Sequence, residues 1–222
     1  MRVLLLWTLL LPWSGFAQSD TSKQALRRPP YTLKITPLDL INPFQQAINV
    51  QADIPLTQRW GIDLGIGFVM NSWSFTQYKG ESYRGLKLKP ILKYYTSRTS
   101  SNDGYIGLVL KYTYIQNERY INVLRQGGQY TEWLLESKKI VIRGAGVRYG
   151  LQYYFGKRKR GVMEPFVGIG IRNVQVSTYD LPPDAELFLT EDWFSVDRPA
   201  GSYTTPDLML GFSAGWVLST DH

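Results

Sequence analysis

Trp60-Gly61-Ile62-Asp63-Leu64-Gly65-Ile66-Gly67-Phe68-Val69-Met70 places a large apolar residue at every even position, with mostly Gly, Asp and Asn71 beyond at the odd ones. A period of two held this long is a strand signal, because a helix would scatter these side chains around its whole surface. The same alternation recurs outward from this stretch in both directions. Leu86, Leu88, Leu92 and Tyr94 alternate with Lys87, Lys89 and Lys93, and Ile106, Leu108, Leu110 and Tyr112 with Gly107, Val109 and Lys111. Ala145, Val147, Tyr149 and Tyr153 oppose Gly144, Gly146, Arg148 and Gln152, while Val167, Ile169 and Ile171 oppose Gly168, Gly170 and Arg172. Leu208, Leu210, Phe212 and Trp216 close the series, and Leu33 and Ile35, then Ile48, Val50 and Ile54, open it. The pattern predicts eight strands, each near the roughly 9–11 residues that cross a bilayer when tilted.

The second face decides what kind of sheet this is. A soluble sandwich buries its large apolar face and presents charge to water. Here the opposite face is rich in Gly, Gln, Asn, Lys and Asp, too glycine-rich for a good soluble surface. A small barrel read inside out fits better, with lipid outside and small residues leaving room for long side chains in the lumen. The expected fold is all-β: a closed antiparallel up-and-down transmembrane barrel of eight strands. Trp60, Tyr94, Tyr95, Tyr105, Tyr153 and Phe155 suggest one aromatic girdle, and Trp73, Phe75, Tyr112 and Tyr114 the other.

The chain opens Met1-Arg2, continues with the apolar run Val3–Leu11, and reaches Gly15-Phe16-Ala17, a signal-peptide pattern with cleavage after Ala17. Residues 18–30, ending Arg27-Arg28-Pro29-Pro30, read as a periplasmic tether, and 31–219 as the barrel. Connections expected to be short fall at 55–58, 97–103 and 156–161. Longer ones fall at 42–45, 76–83, 119–138 and 178–204. Outer-membrane barrels keep short turns on the periplasmic side and long loops outside.

Thr57–Phe68, Glu164-Pro-Phe-Val-Gly-Ile-Gly170 and Leu210-Gly-Phe-Ser-Ala-Gly-Trp-Val-Leu218 resemble the strands of small Gram-negative outer-membrane β-barrels of the eight-stranded OmpA/OmpX type. The resemblance covers about residues 31–219 and implies the outer membrane, its lipids and lipopolysaccharide, and the barrel-insertion machinery as surroundings and partners. It differs at the end of the chain, where Trp216 is followed by Val217–His222 rather than closing on a terminal aromatic.

The composition narrows the chemistry. The chain of 222 residues has no Cys, which removes disulfides, a thiol nucleophile and Cys-ligated metals. Its one His is His222, so a catalytic pair needing an internal imidazole is disfavoured, and no enzyme activity, metal or cofactor is expected. Gly65-Ile66-Gly67 and Gly168-Ile169-Gly170 precede no helix and are not nucleotide fingerprints. Lys34, Lys87, Lys89, Lys93, Lys111, Arg148 and Arg172 share inward parity with Asp53, Asp63, Glu164 and Asp207; the seven cations with Asp53, Asp63 and Glu164 are expected to form an ion-pair network filling the lumen. Two long connections offer the largest uncommitted surface, so the leading expectation is a structural or surface-interaction barrel with a surface or periplasmic protein partner. A narrow porin-like, anion-preferring channel or an accessory barrel of an export system is the alternative. Nucleic acid is not an expected partner. The basic turn Gly156–Gly161 suits anionic headgroups, and the acidic stretch 178–204 suits cations shared with lipopolysaccharide.

Overall fold

Eight strands close into one antiparallel ring. In the computed structural model, which describes residues 30–39, 47–70, 82–99, 102–179, 182, 186–187 and 200–219, they are β1 (Tyr31–Ile35), β2 (Ala47–Pro55), β3 (Trp60–Val69) and β4 (Ser82–Arg98), then β5 (Asn102–Arg125), β6 (Tyr130–Phe155), β7 (Gly161–Tyr179) and β9 (Gly201–Ser219). Each pairs with its neighbour in the chain. Tyr31–Ile35 pairs with β9 as well as β2, and this seam closes the ring. The two-residue β8 (Glu186–Leu187) stands outside the ring and pairs with Val123 and Leu124 of β5. Besides two 3-10 turns, Pro37–Asp39 and Lys157–Lys159, the described residues contain no helix.

The predicted parity holds along every ring strand. Leu64, Ile66, Phe68, Leu108, Leu110, Ile169, Leu208 and Leu210 point outward and are exposed. Asp63, Lys93, Arg148, Glu164 and Lys34 point inward and are buried. Tight turns at 56–59 and 156–160 and the Thr99–Asn102 hydrogen bond lie at one end, called here the turn end; the opposite end is the loop end.

The lumen is filled in two stages. Charged and hydrogen-bonding side chains occupy the turn half. Toward the loop end, Ala47, Val69, Ile115, Ile140, Ile142 and Val176 form an apolar cluster with Tyr83, Val174 and Tyr203 packed against it. Glycine has two separate uses on the inner face. Gly150 leaves room for the Tyr105 ring, whereas Gly146 and Gly170 face each other across β6 and β7, where a Cβ on either would strike the other strand's carbonyl oxygen. The second use brings two strands together more closely than side chains permit.

Two expectations change. Residues 119–138 are not a loop: β5 and β6 continue as a paired hairpin through Arg125↔Tyr130, turned by Gln126–Gln129. Positive φ at Gln126, Gly127 and Gly128 makes that turn. Among the described residues the hairpin's pairing with β4 ends at Glu118 and with β7 at Ser137, and it runs roughly 24 Å beyond those pairings. Tyr95 and Tyr105 are not girdle residues, being 3 % and 0 % exposed inside the lumen. Inward parity outweighs their aromatic character: Tyr105 donates its hydroxyl to Glu164, and Tyr95 packs edge-on against the Tyr105 ring under Arg98. Residues 1–29, 40–46 and 71–81, hence the signal peptide, most of the tether, Trp73 and Phe75, lie outside the described residues, as does most of 178–204.

Candidate functional site

A six-group ion cluster crosses the turn half of the lumen. Each member is carried inward by the odd or even parity of a different strand, with β1, β2, β3, β4, β6 and β7 each contributing one. The Lys34 ammonium donates to Asp63 Oδ2 at 2.9 Å, Glu164 Oε2 at 2.6 Å and Asp53 Oδ2 at 3.2 Å. Lys93 reaches the same three oxygens, donating to Asp53 Oδ2 at 2.6 Å and Glu164 Oε2 at 2.9 Å, with Asp63 Oδ2 at 3.0 Å. Arg148 adds Nη2 to Glu164 Oε1 at 2.7 Å and lies 3.5 Å from Asp63 Oδ2.

Three cations therefore meet three carboxylates, and the cluster is neutral as a unit. That balance is what permits burial, since one uncompensated ion at such depth costs several kcal/mol. Neutral donors complete it. Tyr105 donates its hydroxyl to Glu164 Oε1 at 2.6 Å, and Gln152 Nε2 donates to Glu164 Oε2 at 2.7 Å and to Asp53 Oδ2. Lys93 also lies 4.5 Å from the centroid of the Tyr105 ring, adding a cation–π contact. Glu164 thus accepts from Lys34, Lys93, Arg148, Tyr105 and Gln152, which saturates a carboxylate with about four lone-pair sites.

One oxygen from each of Asp53, Asp63 and Glu164 falls within 4.8 Å of the others, a spacing that also suits a metal ion. Here two ammonium groups sit against those oxygens and supply the positive charge.

Tyr154 and Asp103 lie on the turn-end side, with the Tyr154 hydroxyl 3.0 Å from Asp103 Oδ2 and 3.0 Å from Gln152 Oε1. Toward the loop end, Gln51, Thr36 and Ser213 form a small triangle of hydrogen bonds.

Of the ten residues expected to share one network, Lys34, Asp53, Asp63, Lys93, Arg148 and Glu164 come together. The other four do not join them. Lys111 pairs with Asp207, and Arg172 donates Nε to Thr205 Oγ1 at 3.1 Å. Lys87 lies further along β4, and the Lys89 ammonium stands 5.1 Å from the Phe166 ring centroid. The expected network is split because inward parity says nothing about height along the barrel. Tyr105 and Gln152 belong with these groups although they are absent from the expected set, and Asp207, expected to face inward, pairs with Lys111. Tyr105 and Gln152 have inward parity in the sequence, and only their being uncharged hides them.

The architecture defines an all-β, eight-stranded, up-and-down barrel with an ionic lumen and an apolar exterior. Residues 39–193 match the family described as a protein of unknown function (DUF3575), and the chain belongs to that family. No curated protein and no solved structure matches it.

Proposed function

We propose that this protein is an integral outer-membrane β-barrel of the small OmpA/OmpX type, with a structural or surface-interaction role and no enzymatic one. The observation that carries the reading is polarity turned inside out: exposed Leu, Ile and Phe ring the exterior while Lys, Arg, Asp and Glu are buried within. An apolar belt of that extent needs a lipid solvent, since soluble monomers rarely leave such a surface open to water. The neutral cluster and the apolar plug favour a closed lumen over a steadily conducting one. Saturation of Glu164 by five donors argues against an acid–base role for it. The projecting hairpin is the part suited to interaction, because its outward face leaves Tyr120, Trp133 and Leu135 exposed, Trp133 by 69 %.

Expression of the full chain in a Gram-negative host tests the reading. The protein should remain in the outer-membrane pellet after carbonate washing and should migrate faster on a gel before heating than after. Recovery as a soluble periplasmic monomer would overturn it.

A further inference from the structure

We infer that the turn end of the barrel binds anionic phospholipid headgroups through a rim of cations set just beyond its outward aromatic side chains. Arg59, Arg158, Lys159 and Arg160 are exposed there. The acids of the same half, Asp53, Asp63, Asp103 and Glu164, are buried. Among the described residues, therefore, the exposed charge of this rim has one sign. Solvated surfaces ordinarily intersperse both signs, whereas a single-sign rim is what attracts an anionic surface.

Contacts place the basic segments against the outer wall. Arg59 Nη1 donates to the Tyr94 hydroxyl at 3.2 Å. Tyr94 packs on Trp60 with ring centroids 5.0 Å apart, and the two are register partners on the apolar outer face. The Arg59 guanidinium is thus held over lipid-facing rings and not over the lumen mouth. Across the ring, between β6 and β7, Val217 N donates to Arg160 O at 2.8 Å. That bond docks the basic turn beside the exposed Trp216, and Phe155, also exposed, pairs with Gly161 at the base of the turn. Each basic segment therefore follows outward aromatics, in the order in which a bilayer passes from hydrocarbon through interface to phosphate. Turn geometry does not account for the charge. Arg158 and Lys159 have φ of 63° and 52°, a left-handed backbone that Asn adopts more readily than long side chains do.

The inference rests on the outer-membrane reading and adds the chemistry of the leaflet at the turn end. Phosphatidylglycerol, with a phosphate and a net negative charge, is the probe; phosphatidylcholine has the phosphate without the net charge. The refolded full chain in phosphatidylcholine vesicles should be doped with either lipid carrying brominated acyl chains, and tryptophan quenching followed, since Trp60 and Trp216 stand beside the cations. Brominated phosphatidylglycerol should reach half-maximal quenching at a lower mole fraction, roughly fivefold lower for each cation that engages a headgroup. High salt should shrink the difference. Arg59→Gln combined with Arg158→Asn, Lys159→Asn and Arg160→Gln suits the left-handed turn and should quench equally with both lipids. A wild type that does not insert would overturn both the outer-membrane reading and this inference. A wild type that inserts but is quenched equally by both lipids, or a variant that keeps the wild-type preference, would overturn this inference alone. Polyglutamate added to the detergent-solubilised protein covers an acidic protein partner: tight binding there, without a lipid preference in vesicles, would also overturn it. The wild-type comparison decides the matter even if the variant does not insert.

Discussion

The two halves of the lumen are closed by opposite chemistry. In the turn half, Lys34, Lys93 and Arg148 interlock with Asp53, Asp63 and Glu164, behind outward Leu64, Leu92, Leu108 and Val147. Toward the loop end, Ile115, Ile140 and Ile142 fill the interior behind outward Gln116 and Lys139, whereas Val69 lies between the exposed Phe68 and Met70. The same strands carry both arrangements, β5 and β6 without a break. Along β5 and β6 polarity therefore inverts around Ile115, Ile140 and Ile142, from ionic inside and apolar outside to apolar inside with Gln116 and Lys139 outside, before the buried Glu136 pairs with Lys138 and Arg119 further out. On the outer-membrane reading proposed above, lipid around the turn half and water around the loop end would account for this. Local strand propensity does not, because Leu, Ile, Tyr and Val suit a strand at either height.

The strongest way to break the comparison is to unbalance the ionic half. Glu164→Gln removes one carboxylate from a neutral set and leaves three cations facing two. Breaking a buried pair costs about 3–5 kcal/mol, so urea unfolding in lipid vesicles should show the largest loss of any substitution here. Planar-bilayer recording should accompany it. The wild type should pass little steady current, while Glu164→Gln should flicker open with an anion preference, since the remaining lumen charge is positive. Steady wild-type conductance together with an unaltered Glu164→Gln protein would refute the closed cluster.

Next in size is the outer boundary, tested on one strand. Leu108 points outward beside the ionic half and Gln116 points outward beyond the inversion. Leu108→Arg should cost about 2–4 kcal/mol, the penalty for a cation near the bilayer midplane. Gln116→Arg should stay within about 0.5 kcal/mol, as an ordinary surface change does. Equal costs by urea titration in vesicles would mean that no solvent boundary separates them.

Parity makes most of this legible in the sequence. Alternation around Trp60–Met70 and its repeats puts Lys34, Asp53, Asp63, Lys93, Arg148 and Glu164 inside and yields the eight strands. Height is not legible. Lys34 stands in register with Gln51, Gln51 with Gly65, and Gly65 with Lys89, yet the β4 side chain that shares Asp53 Oδ2 with Lys34 is Lys93, four residues further along. The hydrogen-bonded row climbs around a tilted, staggered barrel, and that stagger is a property of closure rather than of any one segment. The hairpin is hidden for a different reason. Between 119 and 138 both faces carry apolar residues, Ile121 and Val123 on one and Tyr120 and Leu124 on the other, so contrast between faces fades. The glycine pair in Gln126-Gly127-Gly128-Gln129 is the available signal, being a turn sequence between two strand-forming runs.

The smallest expected effect sharpens the apolar half. Ile140 is 1 % exposed and belongs to the cluster with Ile115, Ile142 and Val69. Ile140→Val deletes one methylene without changing polarity or strand propensity. If that interior is packed like a soluble core, the loss combines the transfer energy of the methylene with a small cavity, about 0.5–1.5 kcal/mol. If water instead fills the loop end of the lumen, the deleted group was already hydrated and its removal should cost almost nothing. Ile140→Thr separates the two cases further. Threonine nearly matches valine in shape but brings a hydroxyl, which a dry cluster penalises by a further 1–3 kcal/mol or so and a wet lumen accepts. Urea midpoints of wild type, Ile140→Val and Ile140→Thr should therefore fall in that order, with the second step at least as large as the first. Three coincident midpoints would show that the loop half is an aqueous vestibule, and the inversion of polarity would then apply to the exterior alone.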